Sequence, residues 1–168
     1  MNGMSWSNRH CQTLFNYITG LVRDTGLLHL VGLAAGLQID EFLVVFGASG
    51  NTGMMATQLA KKMGAKVIAV SKDNWIKDFG ADYIITDYNK VAEQVNELTQ
   101  GKMADVVLNS LGIQTWENSF ESVGLNGRWV TFGGLTGADV KLNVQSLYSK
   151  QIRLIGSTGG NRKEFTEL

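Results

Sequence analysis

The sequence contains no proline and only one cysteine, Cys11, among 168 residues. At an ordinary usage of ~5%, about eight prolines would be expected. Their absence excludes a PxxP segment, a cis-proline turn and a proline-rich linker. A lone cysteine excludes an internal disulfide and a cysteine-built metal site, and it points to a reducing, intracellular setting. Charge of one sign is missing too, because 15 Lys+Arg balance 15 Asp+Glu. Nucleic acid and anionic membrane surfaces attract a basic excess, so neither partner is expected. Long apolar runs are also lacking. The stretch Leu27–Ile39 is interrupted by His29 and Gln38 and falls short of the ~20 residues that span a bilayer. Residues 1–20 show no basic n-region followed by an apolar h-region. Together these absences lead to the expectation of a soluble, cytoplasmic protein.

Several catalytic signatures are absent as well. Tyr17, Tyr83, Tyr88 and Tyr148 are followed four residues later by Leu21, Asp87, Ala92 and Ile152, so no Tyr-x-x-x-Lys pair exists. No His-x-x-x-His, Cys-x-x-Cys or Gly-x-Ser-x-Gly occurs. His10 and Cys11 are neighbours that make no site alone, and His29 on an apolar stretch reads as a packed residue.

Glycine, at 20 residues, is what the sequence has in plenty. A 44% hydrophobic and 18% charged composition is that of a globular chain, too apolar for disorder. Short apolar runs appear at Phe42–Phe46, Lys66–Val70, Asp82–Thr86, Asp105–Asn109, Arg128–Phe132 and Ile152–Ile155. They are mostly apolar throughout rather than alternating, as strands buried on both faces of a parallel sheet are. Helical stripes separate them. Met55, Leu59 and Met63 share one face, as do Val91, Val95 and Leu98. Ile76 and Phe79 follow a possible cap at Asp73, and Trp116, Phe120 and Val123 form another stripe. Val144, Leu147 and Tyr148 follow a cap at Asn143. Glycines at 64, 80, 101 and 124 are placed to stop four of the five. This order predicts an α/β protein with a six-stranded, doubly wound parallel sheet, a Rossmann fold. Before it, Leu14, Ile18, Leu21 and Val22 suggest a helix, and Leu27–Gly36 a second. After it, Asn161 to Glu164 resembles a capping box. The expected division is a helical lead-in over 1–40 and a dinucleotide-binding domain over 41–168.

The sharpest motif is Gly47-Ala48-Ser49-Gly50-Asn51-Thr52-Gly53, between a predicted strand and a predicted helix. Gly47 and the small Ala48 permit a tight turn at the strand end. Gly50 lets backbone approach a pyrophosphate, and Gly53 lets the helix lie close to the sheet. The N–H groups and dipole of the helix start favour phosphate, with Ser49, Asn51 and Thr52 able to add hydrogen bonds. The alternative is a glycine-rich turn with no ligand. Met54 stands where a Walker A loop needs Lys, which argues against phosphoryl transfer.

At the end of the second predicted strand an NAD-preferring fold places Asp or Glu against the ribose hydroxyls. Here Ser71 and Lys72 occupy that place, and Asp73 comes two residues late. A hydroxyl beside a cation suits a 2′-phosphate, so NADP(H) is the expected cofactor. A solvated surface lysine is the alternative for Lys72. Asn109, Ser110 and Leu111 after the fourth strand, and Gly133, Gly134 and Leu135 after the fifth, face the same crevice. They are candidates for the nicotinamide half, with ordinary loop structure as the alternative for each.

An ordered series of segments now resembles one family. These are Val45-Phe-Gly-Ala-Ser-Gly-Asn-Thr-Gly-Met, Gln58-Leu-Ala-Lys-Lys-Met-Gly-Ala-Lys-Val-Ile-Ala-Val, Phe79-Gly-Ala-Asp, Ala104-Asp-Val-Val-Leu-Asn-Ser-Leu-Gly and Gly127-Arg-Trp-Val-Thr-Phe-Gly-Gly. They are similar to the cofactor domain of medium-chain dehydrogenase/reductases, in the quinone and enoyl (acryloyl-CoA) reductase-like branch. The resemblance implies hydride transfer from NADPH to a carbonyl or an activated double bond. It also implies a separate catalytic domain, largely absent from this chain, and a homodimer formed along the sixth strand, Ile152–Ile155. Zinc-dependent members take their ligands from the part not present here, so no zinc is expected in this chain. No catalytic residue carries over. A zinc alcohol dehydrogenase cofactor domain and a non-catalytic nucleotide-binding module remain alternatives.

Overall fold

Backbone that is apolar on both faces needs cover on both, and the chain supplies it. A computed structural model describes Val31 and residues 35–158. The strands are β1 (Phe42–Phe46), β2 (Lys66–Val70), β3 (Tyr83–Ile85), β4 (Ala104–Asn109), β5 (Val123–Thr131) and β6 (Arg153–Gly156). They form one sheet in the order β3-β2-β1-β4-β5-β6, with every neighbouring pair parallel. The helices are α1 (Asn51–Lys62), α2 (Val91–Leu98), α3 (Trp116–Glu121) and α4 (Val144–Ser149), with 3-10 turns at Asn74–Phe79 and Ile113–Thr115.

Alternate residues of each strand enter different cores, as the period of two requires. Leu43, Val45, Val67, Ala69, Val106 and Leu108 pack with Ala56 and Ala60 of α1. Val44, Phe46, Ile68, Val70, Val107 and Trp129 pack with Val91 and Val95 of α2 and Phe120 of α3. Trp129 is fully buried, with ring centroids 4.2 Å from Trp116 and 5.2 Å from Phe120.

The expected fold is the observed one, with local differences. β5 begins at Val123, not near Arg128, and Ala104 pairs with Val123 before a shift in register. Val123 and Gly124 therefore belong to a strand rather than to the end of a helix. Val123 lies in the same core as Phe120, so burial alone satisfies a helical spacing there. A Cβ on Gly124 would stand 2.6 Å from the Lys102 carbonyl oxygen, so that glycine serves close backbone packing. Gly64, Gly80 and Gly101 do have positive φ after their elements. Asp73 makes no side-chain cap, whereas the Asn143 side chain accepts from the Ser146 N–H at 3.0 Å. The expected elements around Leu14–Val22 and Asn161–Glu164, most of Leu27–Gly36, and His10, Cys11 and His29 lie outside the described residues.

Two features orient the sheet. Arg128 on β5 donates to the Gly36 carbonyl at 2.9 Å and to the Glu41 carboxylate at 2.6 Å. This pins the segment entering β1 against the sheet at the strand starts. At the far edge β6 pairs with β5 alone among the described strands, and its Leu154 is exposed. No described helix is long and apolar enough to cross a membrane.

Trp129→Ala removes the largest fully buried side chain and is expected to cost about 3–5 kcal/mol. Urea unfolding measures it, and a loss below about 1 kcal/mol would show that the ring is not a keystone of its core.

Candidate functional site

The chain runs from β1 outward to β3 on one side, then returns to β4 on the other side of β1. Neighbouring connections therefore diverge at the carboxyl ends of β1 and β4, which opens a crevice there. Gly47 turns the chain out of β1 with φ +69°, a conformation that a side chain would strain. The N–H groups of Gly47 and Ala48 both donate to the Val70 carbonyl, at 3.1 and 3.2 Å, and the Gly50 N–H donates back to Gly47 at 3.0 Å. Gly53 then brings α1 down onto the turn. A Cβ there would press on the Gly47 carbonyl oxygen and stand 2.8 Å from the Ala48 Cα.

Gly50 differs from its two partners. Its φ is −73°, it is exposed, and a Cβ would meet only the Gly47 oxygen, at 3.3 Å. Internal packing makes only a small demand for glycine there, and the position lies open to the crevice. No side chain caps α1, and no acidic residue lies in its first turn. Its leading N–H groups and positive dipole end thus have no compensating charge of their own. Ser49, Asn51 and Thr52 flank this end, the latter two exposed. These residues fit a pyrophosphate.

At the end of β2 the two expected residues take different roles. Ser71 is buried, and its hydroxyl oxygen accepts from the Asp73 N–H at 3.0 Å, which shapes the turn. Lys72 is exposed and enters no ion pair among the described residues. Tyr88 joins them without having been anticipated. It follows β3, whose end carries no glycine pattern to mark it. Its hydroxyl donates to the Val70 carbonyl at 3.1 Å, the acceptor that also holds Gly47 and Ala48. Burial pushes the phenol's pKa up, the negative charge of Asp73 adds to this, and the Gly47 N–H opposes it. The phenol therefore stays a proton donor at neutral pH.

The ends of β4 and β5 meet across the crevice. The Leu111 side chain lies against Gly47, where an added Cβ would stand 3.2 Å from its Cδ2. Asn109, read as a cofactor ligand, is buried and internally bonded. Its Oδ1 accepts from the Leu111 N–H at 2.8 Å, and its Nδ2 donates to the Ser119 hydroxyl at 2.9 Å. Asn109 thus shapes the turn that presents Ser110 and Leu111. Gly133, Gly134 and Leu135 are exposed beside them. Among the described residues no group of three His, Cys, Asp or Glu is placed to hold a metal ion.

With this geometry in place, comparison with known proteins decides the family. Residues 52–168 match the profile of the zinc-binding dehydrogenases. The chain belongs to that family. It is the NAD(P)-binding domain of a medium-chain dehydrogenase/reductase, in the quinone and enoyl reductase-like branch. An acryloyl-coenzyme A reductase of Sulfurisphaera tokodaii is 30% identical over 148 residues, 83% of this chain and 42% of the relative. An NAD-dependent alcohol dehydrogenase of the same organism is 33% identical over 138 residues, 78% of this chain and 40% of the relative. The structure of Escherichia coli quinone oxidoreductase complexed with NADPH superposes with a TM-score of 0.73 at 29% identity. The match covers 84% of this chain and 46% of that one. The chain therefore spans less than half the length of each of these relatives.

The last two glycines of the turn separate fold from binding. Gly53→Ala forces α1 off the turn and is expected to destabilise the chain by about 1–3 kcal/mol. Gly50→Val is expected to keep a near-native unfolding midpoint and lose nucleotide binding about a hundredfold or more, since its side chain fills the phosphate approach. Thermal unfolding and calorimetric titration read the two effects. Retained affinity in Gly50→Val would remove the phosphate assignment.

Proposed function

We propose that this chain is the NADPH-holding part of a reductase that delivers hydride to a carbonyl or an activated double bond, of the quinone or enoyl type. The observation that carries the cofactor preference is Lys72, an exposed cation at the end of β2 where an NAD-preferring site places a carboxylate. The NADPH complex of the E. coli quinone oxidoreductase supports the same preference.

Each group in the crevice has a part in this reading. The uncapped start of α1, with Gly50, Asn51 and Thr52, holds the pyrophosphate. Lys72 pairs with the 2′-phosphate, in a turn that Ser71 shapes. Tyr88 braces the carbonyl that fixes Gly47 and Ala48. Ser110, Leu111, Gly133, Gly134 and Leu135 hold the nicotinamide half by backbone and apolar contact. When bound, the nicotinamide supplies the hydride, and the protein contributes orientation and electrostatics. The groups that bind substrate and donate a proton belong, in this reading, to sequence outside the chain. The similarity to an NAD-dependent alcohol dehydrogenase favours a second reading, in which NADH is the cofactor and zinc ligands lie in that other sequence.

Calorimetry on the chain separates the two. NADPH is expected to bind about tenfold or more tightly than NADH, and Lys72→Ala to lower NADPH affinity about tenfold while leaving NADH unchanged. Equal affinities for the two cofactors would favour the second reading. The chain alone is expected to turn over neither an enone nor a quinone, and measurable turnover would show that a catalytic group lies within it.

Among the described strands β6 pairs on one side only, which supports self-association through edge-to-edge pairing of Arg153–Gly156 with a second copy. Sedimentation velocity is expected to show a dimer that Leu154→Lys weakens. A monomer at tens of micromolar would dismiss this interface for the chain.

A further inference from the structure

The turn after β4 and the loop after β5 are far apart in sequence, yet hydrogen bonds join them in space. The Leu111 carbonyl accepts twice from Thr136, from its N–H at 2.7 Å and from its hydroxyl at 2.7 Å. The same hydroxyl oxygen accepts from the Gln114 N–H at 3.2 Å. One side chain thus bridges both ends of the turn that contains the start of the 3-10 segment. Two backbone bonds flank it, Leu135 N–H to Ser110 O at 3.3 Å and Ile113 N–H to Gly137 O at 3.0 Å. The fit leaves no slack. A Cβ on Gly133 would stand 2.8 Å from the Ser110 oxygen, and one on Gly112 would press on the Gly137 carbonyl. Gly133, Gly134 and Leu135 are exposed, with Leu135 at 84%, so burial does little to order this loop.

We propose that Thr136 is a positioning residue that locks these two loops into one platform for the nicotinamide half of the dinucleotide. This rests on the cofactor reading above, which assigns Ser110, Leu111 and Gly133–Leu135 to that half. A platform ordered before binding removes the ordering cost that binding would otherwise carry. The adenosine half lies at the ends of β1 and β2, and no hydrogen bond of Thr136 reaches it. The signature of the role is therefore a loss confined to one half of the ligand. A residue that merely supports the fold would weaken both halves together.

The full chain is titrated calorimetrically with NADPH and with adenosine 2′,5′-bisphosphate, which carries the adenosine and its 2′-phosphate but no nicotinamide. Thr136→Val keeps the shape of the side chain and removes the hydroxyl. It is expected to lower NADPH affinity about three- to tenfold and leave bisphosphate affinity unchanged. Thr136→Ser, which retains the hydroxyl, is expected to restore NADPH affinity. Unchanged bisphosphate binding also reports that the variant is folded. Equal losses for both ligands, or no loss for NADPH, overturn the proposal. A wild-type chain that binds neither ligand overturns the cofactor reading itself and the proposal with it.

Discussion

The contact between α1 and the carboxyl end of β1 is the constraint on which the rest depends. There is no room for a side chain between Gly53 and the Gly47 carbonyl. Because the helix sits that low, its first turn points at the crevice instead of over it. Because Gly47 turns with positive φ, two successive N–H groups reach back to the Val70 carbonyl and tie β1 to β2 at their ends. Tyr88 donates to the same oxygen from the end of β3. Three adjacent strand ends thus converge on one carbonyl. Local backbone geometry, rather than any reactive side chain, defines this end of the crevice.

The other half of the crevice is built by a different principle. Asn109, Thr115 and Ser119 form a buried polar network beneath the turn that follows β4. Buried polar groups are tolerated when they are satisfied, and a satisfied network fixes geometry more narrowly than apolar contact does. Asn109 replaces a backbone partner for Leu111, as an Asx turn does. The Leu111 side chain then rests against Gly47, so the network beneath β4 also bears on the glycine turn of β1.

Much of this was legible in the sequence, and the reasons differ by element. The parallel sheet showed itself because runs such as Phe42–Phe46 and Lys66–Val70 must be apolar on both faces. The glycine turn was legible because each glycine answers to a separate steric demand. Helical spacing extends to Val123 because a buried residue on the face of Phe120 satisfies that spacing as well as strand burial. Asn109 was visible as a polar residue at a strand end, but sequence does not say whether such an amide faces ligand or core. Tyr88 and Thr136 carried no motif. Their roles come from hydrogen bonds to the carbonyls of Val70 and Leu111, made across 18 and 25 residues of sequence.

The two ends of the sheet are treated unequally, and this asymmetry gives the domain its direction. At the strand starts, Arg128 bonds Glu41 and Gly36, while Asp105 accepts from the Phe42 N–H at 2.8 Å and Asp82 from the Val67 N–H at 2.8 Å. Side chains there satisfy the free backbone groups that open β1 and β2, so that end is chemically closed. At the carboxyl ends no acidic residue opens α1, Lys72 is exposed with no ion pair among the described residues, and Leu135 exposes apolar surface. Isolated apolar side chains on a surface carry little meaning, but Leu135 follows Gly133 and Gly134, which are exposed with it. An end that offers an uncapped helix start, an exposed lysine, open backbone and an apolar side chain matches a ligand with a charged half and a flat, weakly polar half. The closed end keeps the strands in register, and at the open end hydrogen bonds tie the turn after β4 to the loop after β5.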